Sequence, residues 1–147
     1  ISHLGTRYRV RLGADALSVG VRDGKVGVTN SHGQMQAETG RELKIDNMGR
    51  VSEQEVAPFG MDWSWADALA PRFDIEGRSV KEFLAWAATE TGRSVQYAST
   101  KVESAAVNTV LHGSSNSFAP TEAVAAILPT TDFVASFEGE RLVISVR

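Results

Sequence analysis

The chain has 147 residues, a formal net charge of -3 and no cysteine. That length fits one ordinary domain or two small ones, and a hydrophobic fraction of 42% can build a core. The missing thiols exclude disulfides, thiolate metal centres and cysteine nucleophiles, and Lys and Arg scattered without a basic block beside aromatic residues speak against a nucleic-acid binder.

No apolar run approaches the ~20 residues that span a bilayer. The chain opens at Ile1 within a strand-like pattern, Thr6, Tyr8 and Val10. It therefore reads as a fragment of a longer protein whose targeting signals lie elsewhere.

From Ile1 to about Val56 the apolar residues recur at every second position, the period of half-buried strands. Tyr8, Val10 and Leu12 alternate with Arg7, Arg9 and Arg11, and Leu17, Val19 and Val21 follow. Asp23-Gly24 before Val26 and Val28 predicts a hairpin, because a type I′ turn needs positive φ at both central residues. Further short strands are expected at Met35–Ala37, Glu42–Ile45 and Arg50–Glu55, separated by turn residues. Residues 1–57 are thus predicted to form an all-β subdomain.

Residues 58–72 read as a linker, and after it the rhythm changes. Phe73 and Ile75 alternate as a strand. Ser79 and Glu82 then form a capping box. Val80, Phe83, Leu84 and Ala87 fall at i, i+3, i+4 and i+7, the stripe of an amphipathic helix, and Gly92 ends it. Val95 and Tyr97 make a strand. The pattern repeats: Val107, Thr109 and Leu111 as a strand, a helix from Pro120 to Leu128, then strands at Val134–Phe137 and Leu142–Val146. Matching Tyr97 with Phe137 places Leu84 on Val124, Ala87 on Ile127 and Val95 on Ala135. Residues 73–147 are therefore expected to be βαβ-βαβ-β, and the whole chain α+β.

The second half resembles the short N-terminal domain of secretins and TonB-dependent receptors, known as STN. The match is carried by Phe73-Asp74-Ile75-Glu76-Gly77-Arg78-Ser79-Val80-Lys81-Glu82-Phe83-Leu84, by Thr91-Gly92-Arg93-Ser94-Val95-Gln96-Tyr97, and by Val110-Leu111-His112-Gly113 with Glu122–Leu128. The first half is similar to the middle of the FecR domain, through His3-Leu4-Gly5-Thr6-Arg7-Tyr8-Arg9-Val10, Val19–Val28 and Ala37–Leu43. In FecR-like proteins the β domain precedes an STN-like domain, the order found here, with Trp63 and Trp65 between the two. The resemblance implies the periplasmic part of an inner-membrane-tethered anti-sigma regulator. Its partners would be the signalling domain of a TonB-dependent transducer and, through a cytoplasmic segment and a transmembrane helix outside this chain, a sigma factor and the inner membrane. Alternatives are an STN-like docking domain of a secretion or uptake system and a cell-envelope ligand-binding module.

Catalytic, metal and cofactor sites are not expected. His3, His32 and His112 lie on separate turns or strands, whereas metal ligation needs at least three convergent ligands. Asp74 and Glu76 read as exposed strand charges, and Ser114-Ser115-Asn116-Ser117 as a polar loop without a nucleophile-elbow context. Trp63 and Trp65 share one face if the segment is extended, either packing across a two-domain seam or anchoring a partner. Trp86 is expected on the flank of its helix. The terminal strand, Leu142, Val143, Ile144, Ser145 and Val146, is a candidate sheet edge open to a strand from a partner.

Overall fold

Alternation along the first half becomes seven antiparallel strands: β1 (Ser2–His3), β2 (Arg7–Leu12), β3 (Ala16–Asp23), β4 (Lys25–Asn30), β5 (Gly33–Glu38), β6 (Arg41–Asp46) and β7 (Val51–Glu55). The computed structural model describes residues 6–147 and the backbone of Ser2 and His3. Ile1, Leu4, Gly5 and the His3 side chain lie outside the described residues, so the reading of His3 as an isolated histidine and part of the His3–Val10 match fall there too. The chain is α+β and divides into two compact units, Ile1–Pro58 and Phe59–Arg147.

In the first unit the strands form two sheets, β2-β3-β6-β7 and β1-β4-β5. Val19 and Val21 of β3 and Leu43 of β6 meet Val26 and Val28 of β4 and Ala37 of β5 in a small apolar core. Asp23-Gly24 is not the hairpin that its composition suggests. β3 pairs with β2 and β6, whereas β4 pairs with β1 and β5, so the chain changes sheet at this dipeptide. Gly24 (φ +89°) is still required there, since a Cβ would stand 2.8 Å from Thr6 Oγ1. Two threonines tie the corner: Thr6 Oγ1 donates to Lys25 O (3.0 Å), and the Gly24 amide donates to Thr39 Oγ1 (2.9 Å).

The opposite face of the larger sheet carries a polar row. Arg9, Gly20, Glu42 and Gln54 are cross-strand neighbours on β2, β3, β6 and β7. Arg9 Nη2 reaches over Gly20 to Glu42 Oε2 at 2.5 Å, and Gln54 Nε2 donates to Glu42 Oε1 at 2.9 Å. Gly20 leaves room for this contact, because a Cβ would lie 3.3 Å from Glu42 Oε2 and 3.4 Å from Arg9 Nη2.

The second unit contains a 3-10 turn at Met61–Trp63, then α1 (Ser64–Leu69), α2 (Val80–Glu90), β8 (Ser94–Tyr97), α3 (Thr100–Asn108), α4 (Pro120–Ile127), a second 3-10 turn at Leu128–Thr130, β9 (Phe133–Glu138) and β10 (Arg141–Val146). Ser79 Oγ accepts from the Glu82 amide (3.2 Å) and Glu82 Oε2 from the Ser79 amide (2.9 Å), the capping box expected for α2. Gly92 (φ +71°) closes that helix in a Schellman motif, Arg93 N donating to Ala88 O at 2.8 Å and Gly92 N to Thr89 O at 3.2 Å. At α4 only half of a box exists: Glu122 accepts from the Ala119 amide (3.2 Å), and Ala119 has no side-chain acceptor to return the bond. Phe83, Leu84 and Ala87 of α2 pack with Ala123, Val124 and Ile127 of α4 over Leu142 and Ile144 of β10.

The βαβ-βαβ-β order of this unit is corrected. Phe73 and Ile75 lie on irregular backbone, and Val107 and Asn108 end α3 rather than opening a strand. Ser99 Oγ caps that helix at the Val102 amide (3.3 Å), and Val102, Ala105 and Ala106 bring its stripe to the core. What remains of the expected outer strands is a short exchange of backbone bonds. Gly77 N donates to Leu111 O (3.0 Å), Leu111 N to Arg78 O (2.8 Å) and Val80 N to Thr109 O (2.9 Å). The segment read as a linker, 58–72, holds the first 3-10 turn and α1, and all of it but Pro58 belongs to the second unit.

Candidate functional site

The three-stranded sheet of the second unit has the order β8-β10-β9, parallel between β8 and β10 and antiparallel between β10 and β9. β10 is therefore the central strand. Its expected role as a free edge is corrected: Arg141–Ile144 pair with Ser94–Tyr97 on one side, and Arg141–Val146 with Phe133–Glu138 on the other. A continuous apolar run marks a strand enclosed by its neighbours, and its place at the end of the chain does not set its place in the sheet. Leu142 and Ile144 are fully buried, Val143 and Ser145 are half-buried on the opposite face, and Val146 is exposed. The sheet edges are β8 and β9.

Trp63 and Trp65 do not share an extended face. Trp63 lies in the 3-10 turn and Trp65 in α1, so the segment is helical and not extended. Trp63 is buried and Trp65 is 46% exposed, their rings stacked with centroids 6.5 Å apart. Trp65 Nε1 donates to Asp62 O at 3.1 Å. Trp86 takes its expected flank position, stacking on Phe73 at 5.5 Å and donating from Nε1 to Pro71 O at 2.9 Å.

A polar corner was not legible in the sequence. Glu76 Oε1 pairs with His112 Nδ1 at 2.9 Å, and Glu76 Oε2 accepts from the Gly113 amide at 2.6 Å. The Gly113 amide first, and His112 second, hold the Glu76 carboxyl below its ordinary range. His112 is thus a paired histidine rather than an isolated one. The only available signal was its place 36 residues from Glu76, one expected turn against the other. Asp74 Oδ1 accepts from the Glu76 amide at 3.1 Å, so the two carboxylates serve the backbone of one corner and not a shared proton. Ser115, read as a loop serine, is buried and donates to Phe73 O. His32 sits in the β4–β5 turn against Gly49, with Ser31 Oγ 3.2 Å from its Nδ1. Among the described residues no group of three His, Asp or Glu side chains converges for a metal, and no helix is long and apolar enough to cross a membrane.

A groove of about 670 Å³ lies along β8, between Val95–Tyr97 and Lys81, Ala85 and Glu103 of the neighbouring helices, and two more border the sheet. One, of about 790 Å³, runs from Ile75 and Thr109–Ser114 to Thr130–Phe133. The other, of about 280 Å³, lies between α4 and β9 and is lined mainly by apolar side chains.

No protein-family model matches the chain, and no curated protein matches it. Two crystal structures of a proposed anti-sigma factor from Parabacteroides distasonis ATCC 8503 are similar to it, each with a TM-score of 0.43. Identity is 14% over 95% of this chain and 63% of the other in one case, and 15% over 98% and 66% in the second. The chain spans just under two thirds of their length.

Proposed function

We propose that the protein is the periplasmic interaction module of a FecR-like anti-sigma regulator tethered to the inner membrane. It binds the signalling domain of a TonB-dependent transducer and relays that event to a sigma factor; it performs no catalysis and needs no cofactor. One observation carries this reading. A β unit bearing Thr6-x-Tyr8-x-Val10 and Val19-x-Val21-x-x-Gly24-x-Val26-x-Val28 is followed, in the FecR order, by a unit bearing Ser79–Leu84 and Gly92-x-x-Val95-x-Tyr97. Helices α2, α3 and α4 packed on a small sheet leave sheet edges open in that second unit, and an open edge is suited to recognition by another chain.

The test is calorimetric titration of the signalling domain of the cognate TonB-dependent transducer into the full chain. Saturable binding is expected. No binding heat at any accessible concentration overturns the reading.

A further inference from the structure

Strand pairing decides which backbone groups of β9 are open. Arg147 N donates to Asp132 O at 3.0 Å, so these two residues form a hydrogen-bonded pair. The alternation of an antiparallel ladder then turns the N–H and C=O groups of Phe133, Ala135 and Phe137 away from β10. Thr131 Oγ1 takes the Phe133 amide at 3.1 Å. Ala135 and Phe137 keep theirs for an incoming chain.

The apolar groove of about 280 Å³ runs along this edge. Its far wall is the stripe Thr121, Val124, Ala125 and Leu128 on α4 and the turn after it, at i, i+3, i+4 and i+7. An extended chain seated here would bond to β9 with its backbone and place alternate side chains against α4.

Charge selects the occupant. Asp132 and Glu138 stand exposed at the two ends of the edge, and across the ladder they face Arg147 and Arg141. The sign of charge alternates from β10 to β9, and the next strand outward continues the alternation with a cation at each end. The other cation nearby, Arg93, is held by Gly139 O at 2.9 Å and lies over the Phe137 ring at 4.9 Å. A second copy of β9 fits poorly. In the two-fold register that pairs all three outward residues, Asp132 of one copy opposes Glu138 of the other, and like charges directly opposite are destabilising.

We propose that the β9 edge and the α4 groove receive an extended segment of a partner protein as a fourth strand, with small apolar residues at alternate positions and Lys or Arg at both ends. This rests on the reading of the protein as a partner-binding module.

The probe is a capped heptapeptide of alternating valine and threonine with lysine at both ends, titrated into the full ¹⁵N-labelled chain. Amide shifts are expected along β9 and α4, with the Ala135 and Phe137 amides gaining protection from exchange. The same peptide with glutamate at both ends should bind about tenfold more weakly, the swing expected for two cross-strand charge pairs. Ala135→Pro removes one outward amide, and the edge position tolerates proline; Ala125→Arg fills the groove from an exposed site on α4. Both variants should keep the wild-type circular dichroism and lose the peptide. Shifts confined to β8, no shifts, or dimerisation of the chain through β9 overturns the proposal. If the transducer domain binds both folded variants with wild-type affinity, the groove assignment falls and the proposed function stands. If the peptide binds as expected while the transducer domain does not, the groove stands and the proposed function falls.

Discussion

The two units handle charge in opposite ways. The first, with six buried apolar side chains in its core among the described residues, carries a buried ion pair, Arg9–Glu42, on the other face of its larger sheet. The second gathers fifteen buried apolar residues and confines its ion pairs to exposed positions, such as Lys81–Glu103 and Arg78–Glu82. Apolar helix stripes are directional enough to fix how α2 and α4 sit on the sheet. A small β core specifies register less strongly, and a one-residue slip would reverse every side chain. In the first unit the row Arg9, Gly20, Glu42 and Gln54 closes only in the native register of four strands. A buried ion pair adds little net stability over a well-packed apolar pair.

The comparison breaks first at Phe83, which is fully buried on the inner face of α2. Phe83→Ala should cost about 4 kcal/mol, the sum of lost transfer free energy and a residual cavity. Denaturant unfolding followed by circular dichroism measures it. A loss of less than about 1 kcal/mol would mean that the second unit is not held by this apolar core.

Glu42→Ala tests the other half of the comparison. It leaves the Arg9 guanidinium buried without its carboxylate, at an expected cost of about 3 kcal/mol. The double replacement Arg9→Met with Glu42→Leu should recover most of that loss, because a well-packed apolar pair needs no desolvated charge. If the double variant is as unstable as the single one, the ion pair contributes stability and not only register. Gly20→Val should mimic the single variant, since its side chain would occupy the space the pair spans.

What could be read from the sequence divides along the same line. Local signals were sufficient where a residue governs its own cap or turn, as Ser79 with Glu82 and Gly92 do, and the strands expected at Met35–Ala37, Glu42–Ile45 and Arg50–Glu55 are found as β5, β6 and β7. Local signals failed where pairing is decided by distant residues. Asp23-Gly24 has hairpin chemistry, yet β3 finds β6 and β4 finds β5. Val107, Thr109 and Leu111 alternate as a strand would, but Ser99 caps a helix that runs through Val107; the Ser99, Val102 and Ala106 spacing held that information. The open edge was misplaced for a related reason. The apolar run Leu142–Ile144 belongs to a strand enclosed by β8 and β9, while the edge strand β9 carries Ser136 and Glu138 among its apolar residues.

A smaller effect is expected at the α2 cap. Ser79→Ala removes the acceptor for the Glu82 amide and should cost about 1 kcal/mol. Ser79→Asp should restore most of it, because a carboxylate caps as well as a hydroxyl. Equal loss in both would show that the Ser79 hydroxyl acts through its donation to Glu82 Oε2 (3.1 Å), which neither variant keeps, and not as a cap.

The smallest effect belongs to Glu76, and it sharpens the contrast because this carboxylate is paired yet exposed. Its largest stabilising contact is the Gly113 amide, ahead of His112, and both lower its pKa from the ordinary value of 4.5. A carboxyl with a depressed folded-state pKa contributes stability that is present above the unfolded value and lost as pH falls through the folded one. Stability should therefore decline as pH falls below about 4.5, and Glu76→Gln should remove that portion of the decline. The carboxyl carbon of Glu76 can be followed by NMR through the same range in the wild type and in His112→Ala. Since the Gly113 amide is the leading single cause, the variant should keep part of the depression. A midpoint that returns to the ordinary value in His112→Ala would make the corner an ion pair first and a backbone cap second, closer in kind to Arg9–Glu42 than the exposed geometry implies.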